Sequence, residues 1–145
     1  SYVIDTLHKD ASSRQAVINI WREKPGPSKD IPCTCSLQFL IRDNKIYCVA
    51  NMRSSDAWLG WPYDVFNFTC VSIYTLLQLK HIHNKNYKLG TLTLNAGSQH
   101  LYESNWEKAR LCLHSDAVDK TKIIPFDEFK EADEFIEFLW WNARG

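Results

Sequence analysis

Apolar residues in this chain fall into two rhythms, and each predicts a different backbone. Where they alternate with polar ones or cluster as β-branched residues, a strand is expected; where they recur every three or four positions, a helix is expected. Val17, Ile18 and Ile20 place a strand over Arg14 to Trp21. Pro32 to Arg42 and Ile46 to Arg53 form two more strands, turned by the polar tip Asp43-Asn44-Lys45. So short a loop predicts an antiparallel hairpin. Leu89 to Leu94, alternating with Thr91 and Thr93, adds another strand.

Helical spacing covers four stretches. Tyr2 to Lys9 carries Val3, Ile4 and Leu7, with Asp10 to Ser13 as the following loop. Pro62 to His81 is the longest, with Pro62 suited to a first turn. It is apolar almost all round, from Val65 and Phe66 to Leu79, which predicts a helix buried in the core. His100 to Leu113 and the acidic stretch Phe126 to Trp141 complete the set, with a short extended piece at Ile123-Ile124-Pro125. Arg22 to Ile31, with Pro25-Gly26-Pro27, reads as a surface loop. The whole predicts a single α+β domain over residues 1–145, a mixed or largely antiparallel sheet with packed helices.

Composition narrows the function classes. The chain has 145 residues, 45% of them hydrophobic, enough for a real core. Lys+Arg and Asp+Glu stand at 17 each, and that balance argues against a nucleic-acid groove while leaving room for a small phosphate pocket. No apolar run is long enough to span a membrane. The five cysteines are odd in number and irregularly spaced, which suggests reduced thiols and a cytoplasmic setting. Cys33-x-Cys35 with His81-x-His83 lacks the pair spacing of a structural zinc site, so no metal is expected. Trp58, Trp61, Trp140 and Trp141 are read as core aromatics before ligand-stacking ones.

The chemistry-bearing residues gather between Pro32 and Asp64. Cys33 opens one strand, Arg53 closes its neighbour, and Ser54-Ser55-Asp56 through Gly60 and Pro62 leads into the long helix. Strand ends and strand-to-helix loops commonly hold reacting groups and anion sites. A cysteine needs positive charge nearby to react as thiolate, and Arg53 can supply it from one strand over. Taken alone, a cysteine is more often a small hydrophobe, and Cys48, Cys70 and Cys112 are read as packing residues.

Pro32-Cys33, Gln38-Phe39 five residues after the cysteine, Arg53-Ser54-x-Asp56-x-x-Leu59-Gly60-x-Pro62, and His100-x-Tyr102 occur in one order, after Ser13-Arg14 and a strand ending at Trp21. That order resembles the thymidylate synthase superfamily over most of the chain. Asp64 stands where thymidylate synthases carry Asn and deoxycytidylate hydroxymethylases carry Asp, and Asn51-Met52-Arg53 and Gln38 to Asp43 also look more like the cytosine branch.

The resemblance implies a fold and a reaction. The fold would be thymidylate synthase-like, as the C-terminal catalytic part only, because the chain starts at Ser1 without methionine and is shorter than the family's usual chain. The family's catalytic glutamate and part of its folate wall would then lie outside it. The reaction would be hydroxymethylation of dCMP, or CMP, with methylenetetrahydrofolate as co-substrate. Cys33 would add to carbon 6, carbon 5 would attack the methylene, and water would capture the exocyclic methylene, giving the hydroxymethyl product and free tetrahydrofolate. Arg53 and Ser54 would grip the phosphate, His100 and Tyr102 the sugar hydroxyl, and Asp56 and Gly60 would lie near base and folate. Asp56 read without the motif is a helix-capping aspartate. Gln38 would order the site, and Asp64 would read the base. Arg14 would cross into the partner's phosphate site of a homodimer, although Gln15 stands where a second arginine is usual. Two alternatives remain open: a thymidylate synthase methylating dUMP, and a non-catalytic nucleotide-binding module, against which the retained Cys33 argues.

Overall fold

The computed structural model describes residues 1–24, 26–114 and 126–143, and the extended piece expected at Ile123 to Pro125 lies outside them. Helix α1 spans Tyr2–Lys9 and turns Val3, Ile4 and Leu7 inward, as its spacing predicts. Strand β1 is shorter than expected, Val17–Asn19. The next two main-chain N–H groups, of Ile20 and Trp21, both donate to the carbonyl of Cys35, so the ladder ends there.

Strands β2 (Thr34–Arg42) and β3 (Lys45–Met52) form the antiparallel hairpin. Its turn is tighter than the sequence suggested. Lys45 pairs with Arg42, and Asp43 and Asn44 alone make the corner, both with positive φ. Two left-handed residues give the twist that a two-residue hairpin loop requires, and Asp and Asn tolerate it. Alternation sets the inner face: Leu37, Phe39 and Ile41 from β2 and Ile46, Cys48, Ala50 and Met52 from β3 are buried.

Strand β4 is the two-residue piece Ser55–Asp56, followed by α2, Gly60–His83. At ~1.5 Å per residue this helix is about 36 Å long. From Phe68 onward it is a core helix, as expected, with Ile73, Leu76, Leu77 and Leu79 buried. Its buried hydroxyls are satisfied locally, Ser72 donating to the Phe68 carbonyl at 2.7 Å and Thr75 to that of Val71 at 2.8 Å. The first two turns depart from the expectation, since Trp61, Tyr63 and Phe66 are exposed. Asn84, in the left-handed conformation, ends the helix.

Strand β5 (Lys88–Ala96) runs parallel to β3, giving a mixed four-stranded sheet in the order β1-β2-β3-β5. Gly90 sits where the two strands crowd, and a Cβ there would come within 2.7 Å of the Ile46 carbonyl oxygen. The helix expected from His100 begins later. Gln99–His100 is strand β6, paired parallel with β4, a 3-10 turn covers Glu103–Asn105, and α3 starts at Trp106 and ends at Leu113. Pairing of His100 with Asp56 holds that stretch extended.

The acidic helix is likewise interrupted. A 3-10 turn at Phe126–Glu128 precedes α4, Ala132–Asn142, whose Phe135 is fully buried against the core. Only the stripe through Ala132 and Phe135 is buried, so Trp140 and Trp141 are exposed rather than core, Trp141 at 80%. Cys112 is exposed too, and α3 buries no residue.

Candidate active site

One end of the hairpin brings the chemistry together. Thr34 pairs with Met52, so the residue before β2 and the residue after β3 are neighbours. The main-chain N–H of Arg53 donates to the Cys33 carbonyl at 2.9 Å. The Arg53 guanidinium folds back over the same stretch, its Nε donating to the Pro32 carbonyl at 3.2 Å and its Nη2 to that of Ile31 at 2.9 Å. The Trp21 indole N–H reaches the Pro32 carbonyl as well, at 2.7 Å. Cys33 is thus an exposed thiol on a segment held by a cation and an indole. It lies just ahead of β2 rather than within it, and the Cys35 thiol points back toward its carbonyl oxygen at 3.9 Å.

The parallel pair β4–β6 extends the cluster. The Ser55 N–H donates to the Ser98 carbonyl and the Ala57 N–H to that of His100, each at 2.8 Å. This clamps the Ser54–Asp56 loop beside His100. Ser54 Oγ lies 3.4 Å from His100 Nδ1, and the His100 and Tyr102 rings meet edge-on with centroids 4.8 Å apart. Ser55, only 2% exposed, leaves its hydroxyl without a hydrogen-bond partner beneath this loop.

The start of α2 closes the third side. Asp56 accepts from the main-chain N–H groups of Trp58 and Leu59, both at 3.1 Å, and of Gly60 at 3.4 Å. It therefore caps groups that a helix start leaves unpaired. The Trp58 N–H bond, with those of Leu59 and Gly60 and the nearby His100, holds its carboxyl below the usual value. Gly60 separates two carboxylates. A Cβ there would stand 3.3 Å from Asp56 Cβ and 3.8 Å from Asp64 Oδ2. Asp64, in the first turns of α2, is half-buried, and burial pushes its carboxyl pKa up.

Cys33, Arg53, Ser54, Asp56, Gly60, Asp64, His100 and Tyr102 thus lie along linked backbone at one end of the sheet. Gln38 and Arg14 do not join them. Gln38 lies five residues into β2, about 17 Å along an extended strand, and its amide donates to the Arg14 carbonyl at 2.8 Å. Arg14 is exposed toward the opposite end of β2, in a polar cleft of about 610 Å³ shared with Tyr2, Thr6, Lys9 and Ser12. In the sequence Trp21 reads only as the end of a strand, and its bond to the segment before Cys33 emerges with the fold. A tryptophan eleven residues before a proline carries no local signal of that contact. Among the described residues, no group of three or more His, Cys, Asp or Glu side chains is arranged to hold a metal, and no helix is long and apolar enough to cross a membrane.

The family model described as Thymidylate synthase matches residues 1–137. The chain belongs to the thymidylate synthase family. Its fold is similar to that of thermostable thymidylate synthase A from Bacillus subtilis, with a TM-score of 0.75 and 21% identity over 90% of this chain. The match takes in 46% of the Bacillus chain, so the present chain spans about half the length of that relative. The mixed sheet with packed helices is therefore the thymidylate synthase fold, as the sequence motifs implied.

Proposed function

We propose that this thymidylate synthase family chain takes part in folate-dependent one-carbon transfer to carbon 5 of a cytidylate, dCMP or CMP, giving the 5-hydroxymethyl product. The observation that carries the cytosine assignment is Asp64. Its carboxyl is half-buried and its pKa is raised because burial disfavours the charge. A carboxylate accepts from the cytosine N4 amino group, and the raised pKa favours sharing a proton with the basic N3, a proton that the weakly basic O4 of uracil does not hold.

The other residues take roles that their chemistry supports. Cys33, exposed beside the anchored Arg53, is the nucleophile that adds to carbon 6, since a thiolate both adds and leaves readily. Addition pushes electron density toward carbon 5 and N3, and a proton from Asp64 at N3 stabilises the adduct. Arg53 and Ser54 take the phosphate, a guanidinium fork and a neutral donor. For this the guanidinium exchanges carbonyl partners for phosphate oxygens. His100 and Tyr102, already in ring contact, take the sugar hydroxyl.

The residues present fit a folate at the start of α2. The space over Gly60, between Asp56 and Asp64, is one that a Cβ would fill, and Trp61 stands exposed one residue on. Gly60 and Asp56 would hold methylenetetrahydrofolate, which supplies the one-carbon unit when bound. Arg14, exposed and distant from Cys33 along β2, serves the phosphate site of a second copy in a homodimer.

A second reading, methylation of dUMP, is favoured by the family model and by the Bacillus relative, both named as thymidylate synthase. Product analysis separates the two. The full-length protein is supplied in turn with dCMP, CMP and dUMP together with methylenetetrahydrofolate, and the pyrimidine product is identified by mass. A hydroxymethylated cytidylate is expected; thymidylate from dUMP alone would give the second reading the field.

A further inference from the structure

Cys35 has no part in the reaction above, yet its thiol is turned toward the nucleophile's own residue, 3.9 Å from the Cys33 carbonyl oxygen. We infer that Cys33 and Cys35 form a reversible disulfide under peroxide, with Cys35 as the resolving thiol that protects Cys33 from over-oxidation.

The backbone permits the bond. Residues two apart in a regular strand lie about 6.7 Å apart, at the upper end of the roughly 4.4–6.8 Å that a disulfide spans. The β2–β3 register shifts between Thr34 and Ser36, so Cys35 sits at an irregular point of the ladder and Cys33 just ahead of it. Cys35 is fixed by the N–H groups of Ile20 and Trp21 on its carbonyl, at 2.9 and 3.2 Å. Cys33 is exposed and precedes the strand, so its side chain is the one free to turn.

The chemistry balances with a peroxide as oxidant. The Cys33 thiolate attacks one peroxide oxygen; an S–O bond forms, the O–O bond breaks, and the departing hydroxide takes up the proton that the Cys33 thiol released on ionising, leaving as water. The Cys35 thiol then attacks the Cys33 sulfur as its proton passes to the departing oxygen; the S–S bond forms, the S–O bond breaks, and a second water leaves. Two thiols are oxidised by two electrons and the peroxide is reduced. A bridge over so few residues is strained, so a dithiol reverses it readily. Cys48 cannot compete, being buried with its thiol pKa pushed up to about 11. The inference requires no particular nucleotide substrate.

Trypsin places both cysteines in one peptide, Asp30 to Arg42, with no other cysteine in it. The protein is treated with hydrogen peroxide, denatured, alkylated with iodoacetamide, digested and weighed. The expected peptide carries no alkyl group and has lost two hydrogens, and dithiothreitol before alkylation restores both alkylated thiols. In Cys35→Ser the same peptide is expected to carry Cys33 as sulfinate or sulfonate that dithiothreitol leaves unchanged. Cys35→Ala repeats the test should the serine variant not fold. A wild-type peptide with alkylated Cys35 and oxy-acid Cys33, or with both alkylated while exposed Cys112 has been oxidised, overturns the inference. Because the readout is mass rather than turnover, an error in the substrate assignment leaves it unaffected.

Discussion

Trp21 and Arg53 donate to the same oxygen, the carbonyl of Pro32, at 2.7 and 3.2 Å. One comes from the end of the segment after β1 and the other from the end of β3, and both hold the residue just ahead of Cys33. Arg53 therefore does two things at once: it places the nucleophile's segment and brings a fixed positive charge to it. Arg53→Ala is expected to weaken nucleotide monophosphate binding by roughly 10- to 100-fold, the scale of a lost hydrogen bond to a charged group. It should also change the rate of Cys33 alkylation by iodoacetamide, because the segment that carries the thiol loses the guanidinium that holds its carbonyls. Arg53→Lys should restore little of the binding, since a lysine cannot fork. Equal alkylation rates in all three proteins would show that Arg53 does not place the Cys33 segment.

The two neighbouring thiols should separate cleanly in turnover. Cys33→Ser is expected to abolish it while leaving nucleotide affinity nearly intact, because a neutral hydroxyl is a far weaker nucleophile near pH 7. Cys35→Ser should stay active in reducing buffer. Calorimetric titration with dCMP beside a turnover assay checks both, and a reversed outcome would move the nucleophile to Cys35.

Stability should fall with acid at the junction of α1 and α2. The His8 and His83 rings stack with centroids 3.6 Å apart, and His83 Nε2 is buried without a hydrogen-bond partner. Desolvation first, then the charges of His8, the Ser1 ammonium and Lys85, lower the His83 pKa below its ordinary 6.5, against the opposing pull of Asp5. A lowered folded-state pKa means that the unfolded chain takes up the proton first. The stabilisation is present above about pH 6.5 and is lost as pH falls through the folded value. Urea midpoints measured from about pH 8 to about pH 5 should decline, and His83→Gln should flatten that decline. An unchanged slope in the variant would assign the acid sensitivity elsewhere.

The hairpin, the core helix and the apolar faces of the sheet were legible because local alternation and helical spacing dictate them. Phe39, Ile46 and Leu77 are buried where that spacing puts them. What was not legible depended on distant partners. His100 reads as a helix start, but its neighbour is Asp56, forty-four residues earlier, and pairing with β4 keeps it extended. The tryptophans of α4 read as core, yet the buried residues of that helix are Ala132 and Phe135, and Trp140 and Trp141 are exposed. The site followed the same division. The sequence placed Cys33 and Arg53 at adjacent strand ends, whereas the sharing of the Pro32 carbonyl and the crowding of Asp56, Gly60 and Asp64 required the fold.

The base-reading role of Asp64 gives the sharpest test. Uracil presents an N3–H donor and an O4 acceptor; cytosine presents the reverse, an N3 acceptor and an N4 amino donor. With cytosine a single proton is shared between Asp64 and the basic N3 while the carboxylate accepts from the N4 amino group, two bonds in all. Uracil O4 is too weak a base to share that proton, so Asp64 facing uracil accepts from N3–H but sets a second acceptor against O4, and a buried group left unpaired costs about 1–3 kcal/mol, more when charged. An Asn amide at this position accepts from N3–H and donates to O4. Asp64→Asn is therefore expected to lose cytidylate activity and to gain dUMP binding or exchange at carbon 5. The pH dependence follows from the same proton. Burial raises the Asp64 pKa, so its protonated form persists to higher pH than in an exposed carboxyl, and cytidylate affinity should decline as pH rises through that raised value. The asparagine variant has no such proton and should lose that dependence. Tritium release from 5-labelled dCMP and dUMP, wild type against variant across pH, measures both effects. A wild type that prefers dUMP, or a variant that keeps the dCMP preference, would show that Asp64 does not read the base, and the methylating reading would then stand ahead.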